Sequence, residues 1–196
     1  GKIYGGSQTS RFDPEFGTVT TGPSRDNFTI IGKAEGTGKA YGFDGCLIDM
    51  KNGLNILNIS ALAASNDATA LKGATVYGGN DRDEFTIFAK SDGKGTAKAL
   101  DCSSIYAKDG ENYISIAAES AAGNAYGIAC EVTGGKDRDV ISVSAKSFGA
   151  GYAGAMVCST VNAKDGENTI TVHAESATGT AYAVDGGGVY SGSGND

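Results

Sequence analysis

The chain has no tryptophan, 2 prolines and 1 histidine among 196 residues. It also has no run of 18 apolar residues, so no segment reads as a membrane-spanning helix and membrane insertion is not expected. The opening GKIYGGSQTS lacks the apolar core of a signal peptide. A single histidine, His173, with no P-loop, HExxH or nucleophile elbow beside it, leaves catalysis without its usual motifs. Leucine is scarce and gives way to Ala, Val and Ile, with 31 glycines, which disfavours helices and suits strands and turns. Basic residues number 16 against 23 acidic ones, a net charge of −7, so a nucleic-acid partner is not expected. That balance suits cations or a soluble surface.

What the chain does have is a repeat. The phrase A-[KE]-S ends at Ser91, Ser120, Ser147 and Ser176, and stepping back by about 28 residues reaches Ala63 and Ala34, giving six units. Eight residues before these anchors stand Asp26, Asn55, Asp83, Asn112, Asp139 and Asn168, with Asp196 at the next place. Asp and Asn alternate strictly, so the full repeat is two units, about 56 residues.

Within each unit three positions alternate with polar ones: Phe28, Leu57, Phe85, Ile114, Ile141, Ile170; then Ile30, Ile59, Ile87, Ile116, Val143, Val172; then Gly32, Ala61, Ala89, Ala118, Ala145, Ala174. Period two marks one buried face of a strand. A second strand carries Phe43, Leu71, Leu100, Ile128, Met156 and Val184, and a third carries Ile48, Val76, Ile105, Val132, Val161 and Val189. No unit of this size buries its own apolar face, but stacked equivalents build a continuous interior. The expected fold is an all-β, right-handed parallel β-helix of about six coils, with three short strands per coil. Residues 1–23 read as an irregular entry or cap holding both prolines, and residues 24–196 as the repeat domain.

Two phrases alternate at one corner of this helix: GGNDRD and GGKDRD, from Gly78 and Gly134, and KDGEN, from Lys108 and Lys164. Glycine is expected to supply the positive φ of the turn, and the Asp/Asn column to bond turn amides, its alternation avoiding stacked like charges. The same corners carry Asp81, Asp83, Asp109, Glu111, Asp137, Asp139, Asp165 and Glu167 at coil spacing. Calcium is the cation such oxygens would hold. The competing reading is a solvated charge ladder neutralised by Arg82, Arg138, Lys108 and Lys164.

Cys102, Cys130 and Cys158 recur every 28 residues just after the second strand, with Cys46 one position off. They read as a buried ladder of small side chains; a disulfide between adjacent rungs is sterically conceivable, and the CxxC and His partners of zinc sites are missing. Tyr41, Tyr126 and Tyr182 share a column and either pack as a ladder or stack on sugars or a partner. The outward column Ile31, Ser60, Phe88, Ala117, Ser144, His173 is too irregular to match an ice lattice.

Ile3-Tyr4-Gly5-Gly6 matches Val76-Tyr77-Gly78-Gly79, and Val189 onward reaches the same corner, so both ends read as prepared to join a continuing array, with end-to-end self-association as the expected contact.

Units such as NTITVHAESATGTAYAV (Asn168 to Val184) and NYISIAAESAAGNAYGI (Asn112 to Ile128) resemble the repeats of large secreted bacterial adhesins and autotransporter-like passenger regions. GSGND and the GG-x-D phrases are similar in composition to the Gly/Asp-rich repeats of calcium-binding RTX proteins, though the nonapeptide GGxGxDxUx is not repeated. The resemblance implies an extracellular or cell-surface stalk or filament without catalysis, with a host surface protein or glycan as partner. A calcium-stabilised binding module and a glycan-cleaving β-helix enzyme are the alternatives.

Overall fold

A computed structural model describes residues 2–4, 18–20, 22–45 and 47–194. Most of the expected cap, together with Cys46 and Asp196, lies outside the described residues.

The chain is a parallel β-helix, and no helix occurs among the described residues. In chain order the strands are β1 (Lys2–Tyr4), β2 (Thr18–Thr20), β3 (Asn27–Ala34), β4 (Ala40–Asp44), β5 (Leu47–Asp49), β6 (Ile56–Ala63), β7 (Ala68–Lys72), β8 (Thr75–Tyr77), β9 (Glu84–Ser91), β10 (Ala97–Tyr106), β11 (Tyr113–Ser120), β12 (Ala125–Thr133), β13 (Val140–Ser147), β14 (Ala153–Asn162), β15 (Thr169–Ser176) and β16 (Ala181–Tyr190). One wall stacks β3, β6, β9, β11, β13 and β15. The opposite wall stacks β1, β2, β5, β8, β10, β12, β14 and β16, with β4 and β7 continuing it under β10.

Each coil has three strand segments. In the first two coils they stay separate, whereas from β10 onward the second and third run together into one strand of 9 or 10 residues. The fusion is not smooth: between β10 and β12 the register shifts, Asp101 pairing with Ala129 but Ser104 with Glu131. Two residues there face one, a bulge that bends the strand where a separate turn stood in earlier coils.

The period-two columns meet as expected. Phe85 pairs with Ile114 and Leu57, Ile87 with Ile116 and Ile59, and all six are buried. From the other wall Phe43, Leu71, Leu100, Ile128 and Met156 close the interior, with Ile48, Val76, Ile105, Val132 and Val161 beside them, none measurably exposed. Strand spacing of about 4.8 Å makes each inward side chain lie against its repeat above and below, so removal from water is nearly complete. In β15 and β16 the same columns are open: Ile170 and Val172 are half-buried, Val184 is 42% and Val189 43% exposed.

Candidate functional site

The corner column is the most elaborated part of the molecule. Asp26, Asn55, Asp83, Asn112, Asp139 and Asn168 are all buried. Each side-chain oxygen reaches back one coil: the amides of Asp26, Asn55, Asp83, Asn112 and Asp139 donate to Oδ1 of Asn55, Asp83, Asn112, Asp139 and Asn168, at 2.8–3.2 Å. The result is an unbroken line of hydrogen bonds along the axis.

The second atom of each side chain turns into its own corner. Oδ2 of Asp83 accepts the Gly79 amide at 2.6 Å, Oδ2 of Asp139 the Gly135 amide at 2.7 Å, and Oδ2 of Asp26 the Gly22 amide at 3.1 Å. Nδ2 of Asn112 donates to the carbonyls of Lys108 and Gly110, and Nδ2 of Asn55 to those of Met50 and Gly53. Asn168 does the same to Asp165 and, one coil on, Ser191. Alternation therefore follows from donor and acceptor matching: GGxDRD corners present an amide and need a carboxylate, KDGEN corners present carbonyls and need an amide. The like-charge argument made from sequence is secondary to this. Burial, above all, raises the carboxyls of Asp83 and Asp139 above the ordinary value near 3.8, against the amide bonds that favour their charged forms.

Glycine has two separate jobs at this edge. Gly53, Gly110 and Gly166 adopt φ of 111°, 96° and 106°, as expected of a sharp turn. Lys51, Lys108 and Lys164 share that left-handed region at 47°, 64° and 66°. The GG pairs have a different cause: a Cβ on Gly79 would lie 1.9 Å from the Lys51 carbonyl oxygen, and one on Gly135 1.8 Å from that of Lys108. Unlike corners interlock too closely for a side chain there.

The remaining acids bond outward along the edge. Asp81 and Asp137 accept the Gly53 and Gly110 amides of the preceding corner, each at 2.8 Å. Asp165 accepts the Ser193 amide at 3.3 Å and its hydroxyl at 2.6 Å, which holds its carboxyl below the usual range. Asp109 faces Lys136 at 3.4 Å, while Glu111 and Glu167 are exposed. No three Asp, Glu, His or Cys side chains converge among the described residues.

At the far end of the first wall the anchor serines form a second column that the sequence pattern marks without explaining. The hydroxyls of Ser91, Ser120, Ser147 and Ser176 donate to carbonyls of Asn66, Gly95, Gly123 and Gly151 at 2.7–2.9 Å. Each hydroxyl ties a turn of the same or preceding coil, which gives the serine of A-[KE]-S its role in these four coils.

The expected buried cysteine ladder is corrected by the structure: Cys102 and Cys158 are exposed and Cys130 is intermediate. All three sit in the bulge column, where Cys102 and Cys158 adopt φ of 49° and 46° and turn away from the interior.

Of the three column tyrosines, Tyr126 and Tyr182 are brought together through Tyr152, with ring centroids 5.5 and 6.1 Å apart. Tyr152 was not singled out from sequence, yet Gly154 marks it: a Cβ there would lie 2.6 Å from the Tyr152 ring, so the glycine gap in the column is filled by the ring from two residues before. The Tyr152 hydroxyl donates to Asp185 at 2.5 Å, and burial together with that bond pushes its pKa above the ordinary phenol value. Tyr41 stands apart, separated by Thr69 and Lys98, with the Lys72 ammonium 5.0 Å from its ring centre. His173 is exposed, 3.9 Å from Glu175.

Comparison with protein-family models, with curated proteins and with solved structures finds no match to this chain.

Proposed function

We propose that this chain is a structural segment of an extracellular or cell-surface stalk or fibre, a rod that extends by stacking further coils of its own kind. The observation that carries the reading is the corner column, where every buried Asp and Asn side chain is committed to coil-to-coil and in-corner hydrogen bonds. Chemistry invested in this way opposes separation of coils along the axis. The exposed columns of β15 and β16 have the same apolar make-up as the inward columns of the other coils. The texture shared with secreted adhesin repeats supports the extracellular location, and a host glycan or surface protein as the partner such a rod would carry.

Sedimentation of the chain over a wide concentration range, beside Val184→Lys and Val189→Lys, tests axial association. Elongated species that grow with concentration and are lost in both variants are expected; identical sedimentation of all three proteins would overturn it. Melting in excess calcium and then with chelator belongs to the same experiment. A ligand held only by the native state raises the melting temperature, and such a rise would replace the metal-free rod by a calcium-dependent module.

A further inference from the structure

The bulge column holds reactive groups for which a rod has no use. Cys102 and Ser103 together face Cys130 across the β10–β12 pair. Ser103 fixes this geometry: its hydroxyl donates to the Asp101 carbonyl at 3.0 Å and accepts the Ala74 amide at 3.2 Å. Cys102 and Cys130 therefore stand opposite one another on adjacent strands, one exposed and one partly sheltered. Cys158 lies a coil further on but out of step, because Ala129 and Cys130 there face the three residues Val157 to Ser159.

We propose that Cys102 and Cys130 are a thiol-exchange site, a dithiol that reacts with low-molecular-weight disulfides and closes to a disulfide across two coils. Adjacent strands place Cα atoms about 4.8 Å apart, inside the span of roughly 4.4–6.8 Å that a disulfide bridges. The exposed Cys102 gives its proton to water and its sulfur attacks the small disulfide, forming a mixed disulfide and expelling one thiolate. Cys130 then loses its proton, attacks Cys102 Sγ and expels the second thiolate. Two protein thiols are oxidised and one small disulfide is reduced to two thiols, so the exchange balances. Burial first, and then the neighbouring Cys102, raise the Cys130 thiol above its ordinary value, so closure quickens as the solution becomes more alkaline.

The test uses the chain carrying Cys46→Ser, which removes the thiol outside the described residues, incubated with oxidised glutathione and then alkylated and mapped by mass spectrometry. The native protein is expected to yield a Cys102–Cys130 cross-linked peptide with Cys158 as a mixed disulfide, whereas oxidation in denaturant scrambles the pairing. In Cys102→Ser the cross-link to Cys130 is lost and Cys130 is alkylated. The proposal is overturned if native Cys102 stops at a mixed disulfide while Cys130 stays reduced, or if Cys130 links to Cys158 as readily as to Cys102.

Discussion

A carboxylate and a carboxamide of the same shape differ in one group, and in the corner column that group meets opposite partners. Asp83→Asn places an amide hydrogen against either the Gly79 or the Asn55 amide, leaving a buried donor without acceptor. Asn112→Asp places a carboxylate oxygen among the carbonyls of Lys108 and Gly110. Each is expected to cost about 1–3 kcal/mol in denaturant unfolding. If avoidance of stacked charge governed the column, Asp83→Asn would be neutral or stabilising. The pH dependence has a definite sign. With folded carboxyls raised above 3.8, the native state binds more protons than the unfolded chain between 3.8 and the raised values, so these two residues lend more stability as pH falls through that window. The cost of Asp139→Asn measured at pH 4 should therefore exceed its cost at pH 7. Serine in the bulge gives a further contrast. Ser103 Oγ has two partners, while Ser159 Oγ is buried with none among the described residues. Ser103→Ala should cost about 1 kcal/mol and Ser159→Ala nothing, or be stabilising, in the same assay.

At the scale of strands and turns, the sequence made the inward columns plain because an apolar letter every second residue has one structural meaning when it recurs in six coils. Ile87→Ala accordingly removes a side chain touching Ile59 and Ile116 columns on both sides, and a loss of about 2–5 kcal/mol is expected from thermal or denaturant melts. The corners were legible as corners, but their logic was not. Whether a glycine is needed for its φ or for the space it leaves depends on how near the next coil lies, and only coordinates give that distance. Gly79→Ala should cost about 1–3 kcal/mol through overpacking against Lys51, while Gly36→Ala, with nothing within 4 Å of the new carbon, should stay within about 0.5 kcal/mol. The cysteines were misread for a related reason. Their regular spacing says that they stack, whereas their outward direction is set by a bulge, and a one-residue register shift leaves no trace in a count of 28. Tyr152 escaped because it belongs to a neighbouring position and enters the tyrosine column only through the gap at Gly154.

As a whole the molecule is a pile of near-equal layers, each held by the two beside it, so stability should vary along its axis. Amides of β9 and β11, covered on both sides, should exchange hydrogen only when the entire stack opens, and those of β15 and β16 should exchange sooner by loss of the last coil. A hydrogen-exchange profile that is flat from β9 to β16 would contradict this nearest-neighbour picture. The interlocked corners add a rule about how such a chain can change its length. A GGxDRD turn fits against a KDGEN turn, with Gly135 lodged on Lys108 and Gly110 on Asp81, and among the described residues no two turns of one kind follow in succession. Duplication or excision of a single coil would therefore mismatch the edge, so a change of length that keeps the edge intact adds or removes coils in pairs.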